Sequence, residues 1–436
     1  MILVYTEIIS SRLQYIIDFI EKETFGESIQ LTRAKEDFIK FNNVKINYSG
    51  ERFSENEYWI KPHPLLFENK IHSQTIDRFI ANDQKVFFKT EGDFPFDIFA
   101  ASFYLLSRYE EYLPYQKDMY GRYAHENSLA FKEKFLQLPL INIWLKDFAA
   151  GLKQKFPILT IHHSLFTFLP TYDIDQAWSY LHKSWLRNCG GAIKDLVKGK
   201  ISNLNERAKV LQEKQKDPFD AYDWMDELHE KYNLKPVYFF HVAGENGRYD
   251  KNILPGDPDM QDLIKQHSQQ YNIGIHPSWQ SGDEPSLIKN EIGTLENISG
   301  KKVTSSRQHY IRFTLPETFR RLIETGITDD YSIGYGSSNG FRASVASSFY
   351  WYDLEKEEKT NLLLHPFCFM EANSFFEQKF SIQQALEELR HYKNIIQSVN
   401  GTMITIWHNS FLGTEKLFEG WREMYEGFVR EVRSEI

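Results

Sequence analysis

This sequence has few cysteines, no long apolar run and no excess of positive charge. Only two cysteines, Cys189 and Cys368, occur in 436 residues, and they lie far apart. They form neither a disulfide framework nor a Cys-x-x-Cys metal motif, so we expect them to be packing residues. No window approaches the roughly 18 uninterrupted apolar residues that a membrane-spanning helix requires. The sequence therefore argues against a disulfide-stapled module and against a transmembrane segment.

The charge balance argues against a nucleic-acid-binding protein, and the N-terminus argues against a secreted one. Lysine and arginine number 51 against 60 acidic residues, which gives a formal net charge of −9. Such an acidic balance does not favour nucleic acid as a partner. Near the N-terminus, Glu7 and Arg12 interrupt the apolar residues, which predicts a strand and a helix rather than a secretory signal. We therefore expect a cytoplasmic protein.

The length predicts two or three domains. Residues 1–155 predict a smaller α+β domain, in which a helix begins after the N-cap candidate Asp97 and stops at Pro114. No catalytic constellation stands out there, and its role stays open. From about residue 160 to 436, short apolar runs alternate with helical stretches, which predicts a parallel α/β architecture. The seven strand-like runs cover residues 165–175, 235–244, 271–278, 302–310, 328–335, 361–370 and 401–410. The pattern alone allows either an open sheet or a barrel.

Residues 181–235 are too long for a single crossover helix and predict a helical insertion. Within it, residues 183–216 hold nine lysines and arginines against three acids. One interpretation is a pair of solvated helices. The other is a docking surface for an anionic glycan or an anionic membrane surface.

Polar residues collect where the predicted strands end. In PTYDIDQAW, Asp173 and Asp175 stand two apart in extended chain and therefore project to the same side. In a parallel α/β fold, functional residues usually lie at the carboxyl ends of the strands, along one edge of the sheet. The other strand-end candidates are His276, Arg307, His309 and His408.

These residue types suit metal-assisted hydrolysis. One carboxylate and two imidazoles form a ligand set that leaves positions open for water and substrate. A metal ion lowers the pKa of its water and polarises a carbonyl group. A second carboxylate can take the water proton, and a separate imidazole can protonate the leaving group.

The motifs TYDID, GIHPSWQ, RQHY and ITIWH resemble, in this order, those of the polysaccharide deacetylases, the carbohydrate esterases with a NodB-homology domain. The resemblance covers about residues 165–436. It implies a distorted parallel (β/α) barrel of about seven strands. It also implies that Asp173 is the general base and Asp175 a metal ligand. Arg307 would orient Asp173, the Tyr310 backbone N–H would stabilise the oxyanion, and His408 would be the general acid.

The second motif departs from the family. His276 matches its first histidine, but Gln280 stands where a second histidine is usual, and His309 stands where the family has proline. We predict that His309 replaces the missing ligand, so that Asp175, His276 and His309 hold the metal. The alternatives are a water or the Gln280 oxygen as third ligand, or no tightly bound metal. The ligands favour zinc, and cobalt or nickel would also suit them.

The same strand ends offer candidates for substrate binding. Asp329 or Asp330 could orient His408 or bind substrate hydroxyls. Arg342 could bind an anionic group or form a salt bridge with Asp329 or Asp330. Trp279 and Trp407 could stack on a sugar or simply pack in the core. Residues 94–114 and a following GRY resemble an uncharacterised domain found ahead of such deacetylase domains.

The sequence therefore predicts a metal-dependent hydrolase that removes N-acetyl or related acyl groups from a glycan, an amino sugar or a glycan precursor. Two alternatives stay open. The same fold and first motif occur in hydrolases of cyclic amides and imides. A non-catalytic glycan-binding or scaffold protein on a degenerate deacetylase fold is also open, because the second histidine is absent.

Overall fold

The computed structural model describes residues 1–162 and 164–434, and a small parallel sheet opens the chain. Its strands pair in the order β2-β1-β3-β4, all in parallel. An antiparallel ribbon of β5 and β6 follows. The strand bounds are β1 Ile2–Thr6, β2 Ile29–Thr32, β3 Lys45–Tyr48, β4 Tyr58–Trp59, β5 Phe79–Ala81 and β6 Gln84–Val86. The first strand is buried at every position, as its apolar run requires.

A larger sheet of nine described strands occupies the second part. These strands are β7 Thr167–Ile174, β8 Val237–Phe240, β9 Asn272–Ile275, β10 Ser305–Ser306, β11 Asp329–Asp330, β12 Phe349–Asp353, β13 Glu358–Leu364, β14 Phe369–Met370 and β15 Thr402–His408. Their order is β12-β13-β11-β10-β9-β8-β7-β15-β14. All neighbours pair in parallel except β12 and β13. The prediction of a parallel α/β protein is confirmed. The ladder of the described residues runs from β12 to β14, so closure into a barrel stays a prediction.

Each of the seven predicted strand-like runs contains a strand. The run 361–370 holds the end of β13 and all of β14, separated by the non-helical, non-strand residues 365–368. The antiparallel edge strand β12 was not predicted, because a single short aromatic run does not distinguish a strand from a loop.

The helices fill the connections between strands. Their bounds are α1 Ser11–Thr24, α2 Lys35–Lys40, α3 Ile98–Leu106, α4 Leu129–Lys132, α5 Leu140–Lys155, α6 Trp185–Val197, α7 Ile201–Leu211, α8 Tyr222–Tyr232, α9 Pro258–Gln270, α10 Pro285–Ser299, α11 Glu317–Glu324, α12 Ile382–Ser398, α13 Asn409–Leu412 and α14 Trp421–Arg433. Asp97 caps α3 as predicted, since its side chain accepts from Phe99 N and Ala100 N. The helix ends at Leu106 rather than at Pro114, because Arg108 turns left-handed at φ 54°.

A single hydrophobic cluster extends through both sheets. It contains Ile16 beneath the small sheet and Phe239 and Ile406 in the large one. The proposed boundary between residues 155 and 160 therefore stays a prediction. Within the described residues, no helix has the length and apolar character needed to cross a bilayer.

Candidate active site

Six neighbouring strands of the large sheet each deliver a polar side chain at the carboxyl end. Because these strands are parallel, their ends lie along one edge of the sheet. In the order of the strands from β10 to β14, the residues are Arg307, His276, His241, Asp175, His408 and Glu371. His408 pairs in register with Asp173. The arrangement brings together polar side chains that lie as far apart in the sequence as Asp175 and His408.

Asp173 is buried and held by an arginine. The Arg307 Nη1 atom donates to Asp173 Oδ1 at 2.8 Å and to the Thr171 hydroxyl at 2.7 Å. Arg307 is itself fully buried, with its guanidinium 4.4 Å from the centre of the Phe239 ring. A bound guanidinium fixes the orientation of the carboxylate.

Asp175 lies among three imidazoles. Its Oδ1 atom is 3.1 Å from His276 Nε2, and its Oδ2 atom is 3.5 Å from both His309 Nε2 and His408 Nε2. Ligand atoms of Asp175, His276 and His309 all lie within 4.8 Å of one another. This spacing is short enough for one metal ion to contact all three.

The hydrogen bonds of these histidines leave the right nitrogen available for a metal. His276 Nδ1 lies 2.7 Å from the Arg307 carbonyl oxygen and donates to it, which leaves Nε2 with a lone pair. His309 Nδ1 lies 3.1 Å from Asp250 Oδ1, so its Nε2 also faces Asp175. Asp175 Oδ1 is buried and has no hydrogen-bond partner among the described residues. The donor set therefore fits a divalent cation.

Charge is strongly coupled in this cluster. Burial alone would raise the pKa of Asp175, but the imidazoles of His309 and His408 hold it well below its usual value. Burial lowers the pKa of His309, yet Asp175 and Asp250 raise it to about 9. The excess negative charge of the carboxylates thus attracts a cation, whether a proton or a metal.

His408 contacts a buried glutamate. Its Nδ1 atom is 2.6 Å from Glu371 Oε1, and its backbone N–H donates to the same oxygen at 2.7 Å. Burial lowers the pKa of His408, but Glu371 and then Asp175 raise it to about 10. The negative charge of Glu371 therefore favours the protonated form of His408, which can give up a proton.

These residues line a cavity of about 480 Å³. Asp173, Asp175, His276, His309 and His408 all reach it. Phe219, Phe376, Phe411 and Phe418 form an apolar side of the same cavity, and Tyr120 and Arg122 join it from the first part of the chain. A cavity with apolar walls and a few convergent polar groups is typical of a small-molecule site.

Tyr310 lies at the rim in a strained conformation. Its φ is 59° and that of Ile311 is 54°, both in the left-handed region. Arg122 Nη1 donates to the Tyr310 carbonyl at 2.6 Å. Trp279 stacks on Tyr249 at 4.1 Å and lies edge-on to the Tyr310 ring at 5.4 Å. Strain of this kind persists only where surrounding contacts hold it.

The structure places three of the substrate-binding candidates away from the cavity. Asp330 is fully buried and accepts hydrogen bonds from Ser306 at 2.6 Å and from Ser332, so it does not line the cavity. Arg342 is buried against the Glu111 carboxylate, which is a different partner from the neighbouring aspartates. Trp407 is fully buried and packs on Tyr425 with ring centres 4.2 Å apart.

Gln280, the residue at the usual position of the second histidine, is exposed, and its amide lies beside Gly247. Trp279 remains a candidate at the rim.

The sequence interpretation missed three residues that shape the site. His241 directly follows β8, so the strand-end rule could have found it. Its Nδ1 donates to the His276 carbonyl at 3.1 Å, and its buried Nε2, which has no hydrogen-bond partner among the described residues, lies 3.4 Å from Asp250 Oδ1. Asp250 lies in a loop, and Glu371 follows a strand of two residues. No periodic signal marks such positions.

Comparisons with known proteins give a partial picture. Residues 2–157 match the model of a family of unknown function, DUF7033. No curated protein matches this sequence. Among solved structures, a protein from Mycobacterium smegmatis classed as a polysaccharide deacetylase is similar, with 13% identity over 63% of this chain and 85% of that chain and a TM-score of 0.41.

Two further solved structures are of the same kind. A Pseudomonas aeruginosa protein, also classed as a polysaccharide deacetylase, has 14% identity over 62% of this chain and 85% of that chain, with a TM-score of 0.39. A polysaccharide deacetylase from Bacillus cereus has 11% identity over 62% of this chain and 88% of that chain, with a TM-score of 0.31. At these scores the likeness assigns no activity to this chain.

Proposed function

We propose that this protein is a metal-dependent hydrolase that removes an N-acetyl or related acyl group from a glycan, an amino sugar or a glycan precursor. The observation that carries the proposal is the convergence of Asp175, His276 and His309 beside Asp173 and His408 in one cavity. This set unites three metal ligands, a carboxylate base and an imidazolium acid, which is what amide hydrolysis needs.

Asp175, His276 and His309 would hold the cation, because their free ligand atoms converge. A bound divalent ion, zinc first and cobalt or nickel as alternatives, would supply Lewis-acid polarisation of the acyl carbonyl and the attacking water. The Asp250 carboxylate behind His309 fixes the ring so that Nε2 faces the site.

The chain's own residues supply the proton transfers. Asp173, oriented by Arg307, takes a proton from the attacking water. The Tyr310 backbone N–H donates to the oxygen that gains charge as the carbonyl is attacked. His408, protonated beside Glu371, gives its proton to the leaving amine nitrogen, so that free amine and carboxylate result.

Acetate release tests the activity. The purified chain should release acetate from N-acetylated oligosaccharides or from N-acetylated envelope glycan precursors, and a chelator should stop it. Asp173→Asn should lower kcat by about a thousandfold while metal content stays unchanged. Asp329→Asn is a matched control, because Asp329 pairs with His365 and lies outside the cavity. Full activity in Asp173→Asn would refute the assigned base.

Metal content tests the ligand set separately. His309→Ala should lose the bound ion in plasma mass spectrometry, and Gln280→Ala should keep it, because Gln280 is exposed. The reverse result would contradict the assignment of His309.

A non-catalytic glycan-binding protein is the second candidate, because Gln280 stands where a histidine is usual. It predicts that ordinary divalent ions neither bind nor activate the purified chain. Turnover of a cyclic amide in place of acyl release would instead identify a cyclic amide hydrolase.

A further inference from the structure

Helix α6 carries its apolar residues on the side that faces solvent. Five large apolar side chains are exposed: Trp185 at 72%, Leu186 at 65%, Ile193 at 63%, Leu196 at 59% and Val197 at 81%. At 100° per residue they fall within an arc of about 120° of the helix surface. Surface helices of globular proteins normally turn such a face toward the core.

The polar side of α6 packs against the protein instead. Asn188, the buried residue of the helix, donates to the Tyr180 carbonyl at 3.0 Å. Asp195 accepts from Arg207 of α7 at 2.9 Å. Because the polar face is held by these contacts, the apolar face cannot turn inward without breaking them. An exposed apolar patch fixed in this way marks an interaction surface.

Cations surround the apolar face. Lys194, Lys198 and Lys200 are exposed beside it, and Ile201 follows at 54% exposure. Residues 183–216 hold nine lysines and arginines against three acids, and one of these acids, Asp195, is paired with Arg207. The segment is therefore locally positive in a chain whose net charge is −9. Exposed apolar side chains with tryptophan and flanking lysines suit an anionic lipid surface.

Helix α6 is connected to the candidate active site through hydrogen bonds of its Arg187. Arg187 of α6 donates to the carbonyls of Asn252 and Lys251 at 3.0 and 2.8 Å. The Asn252 amide in turn donates to the carbonyl of Ile174, the residue before Asp175. Helix α6 thus contacts the loop that follows β8, and that loop is hydrogen-bonded to the carboxyl end of β7.

We propose that α6 docks this protein onto an anionic membrane surface, with its apolar face in the lipid interface and its lysines at the headgroups. The candidate active site would then lie close to substrates held at that membrane surface. The proposal does not rest on the hydrolase function, because membrane binding requires no turnover.

Vesicle flotation tests the proposal with the full chain. Wild type should float with vesicles of phosphatidylcholine mixed with phosphatidylglycerol, should bind phosphatidylcholine alone much more weakly, and should dissociate as salt rises. Leu196→Glu should weaken binding about tenfold, and the pair Lys194→Glu and Lys198→Glu should do the same. Ile158→Glu is the matched control, since Ile158 is 69% exposed outside the insertion, and it should bind as wild type does.

Unfolding midpoints should stay equal in all variants, because the changed residues are exposed. Failure of wild type to float, or equal binding to neutral and anionic vesicles, would overturn the proposal. Sedimentation velocity supplies the remaining outcome. A dimer that Leu196→Glu dissociates, without vesicle binding, would assign the face to a second copy of the chain instead. None of these readouts involves acyl release, so their outcome is independent of the hydrolase proposal.

Discussion

At the scale of single residues, Glu371 controls the proton on His408. The buried carboxylate 2.6 Å away holds the pKa of the imidazole at about 10 despite burial, which lowers it. Glu371→Gln removes that charge, so the pKa of His408 should fall. The general acid must be protonated, and activity is therefore lost as pH rises through its pKa. We expect the alkaline limb of the kcat/KM profile to move to lower pH.

Glu377→Gln is the control for this profile, because Glu377 is an exposed carboxylate on the cavity rim. Its alkaline limb should match that of the wild type. An unmoved limb in Glu371→Gln would mean that another group supplies the proton.

Asp250 is expected to act on the metal through His309. Its Oδ1 atom lies 3.1 Å from His309 Nδ1 and also accepts from the Trp279 backbone N–H at 2.8 Å. Asp250→Asn should weaken metal affinity by about tenfold to a hundredfold, because the ring loses its charged partner. Competition with a chelating dye measures this affinity. Asp283→Asn, a surface acid paired with Arg312, should leave it unchanged.

The residue scale also shows what sequence reasoning could reach. Asp173 and Asp175 were predicted to share a face because extended chain repeats every two residues, and both reach the cavity. The same rule separates Trp407 from His408, since adjacent residues of β15 point to opposite faces. It therefore favours the core-packing alternative for Trp407, which the structure shows. The partner of Arg342, in contrast, stands 231 residues away and could not be predicted.

At the scale of elements, the turn after β10 depends on the first part of the chain. Arg122 donates Nη1 to the Tyr310 carbonyl at 2.6 Å and is braced by Asp118, also at 2.6 Å. This contact holds Tyr310 at a φ of 59°. Arg122→Ala should release the turn and misplace the Tyr310 N–H. We expect kcat to fall roughly tenfold, about 1.4 kcal/mol in barrier height, with metal content unchanged.

Single-turnover kinetics would locate this loss in the chemical step rather than in product release. Arg78→Ala removes an arginine that is paired with Glu133 at the surface, and it should leave kcat at the wild-type value. A loss of metal in Arg122→Ala, or an unchanged kcat, would argue against a positioning role for Arg122.

Strand length explains which elements were recognised from sequence. Strands β7 and β15, of eight and seven residues, carry clear apolar runs. Strands β10 and β11 contain only two residues each, and the sequence predicts them only as parts of the longer strand-like runs 302–310 and 328–335. Pairing order depends on contacts between distant segments, so no local pattern could decide between an open sheet and a barrel.

At the scale of the whole molecule, a buried ionic network joins the first and second parts of the chain. Glu111 accepts from Arg342 Nε and Nη2 at 2.9 and 2.6 Å, and from Arg108 Nε at 2.8 Å. All three side chains are buried. Removal of one member of such a network leaves uncompensated charge away from water, which costs several kcal/mol.

Glu111→Gln should therefore destabilise the protein by about 3 kcal/mol at neutral pH, as measured by urea unfolding. Burial raises the pKa of Glu111, but Arg342 and Arg108 together hold it below its usual value. A depressed pKa contributes stability above the unfolded value of about 4.3, and that contribution disappears as pH falls through the folded pKa. The difference from wild type should accordingly shrink in acid. Glu91→Gln, a surface change, should show no such difference.

The same network should make the two parts of the chain unfold together, because Glu111 and Arg342 lie on opposite sides of the proposed domain boundary. Fluorescence and circular dichroism should therefore report one shared unfolding transition. Two separate transitions would mean that the network does not couple the parts.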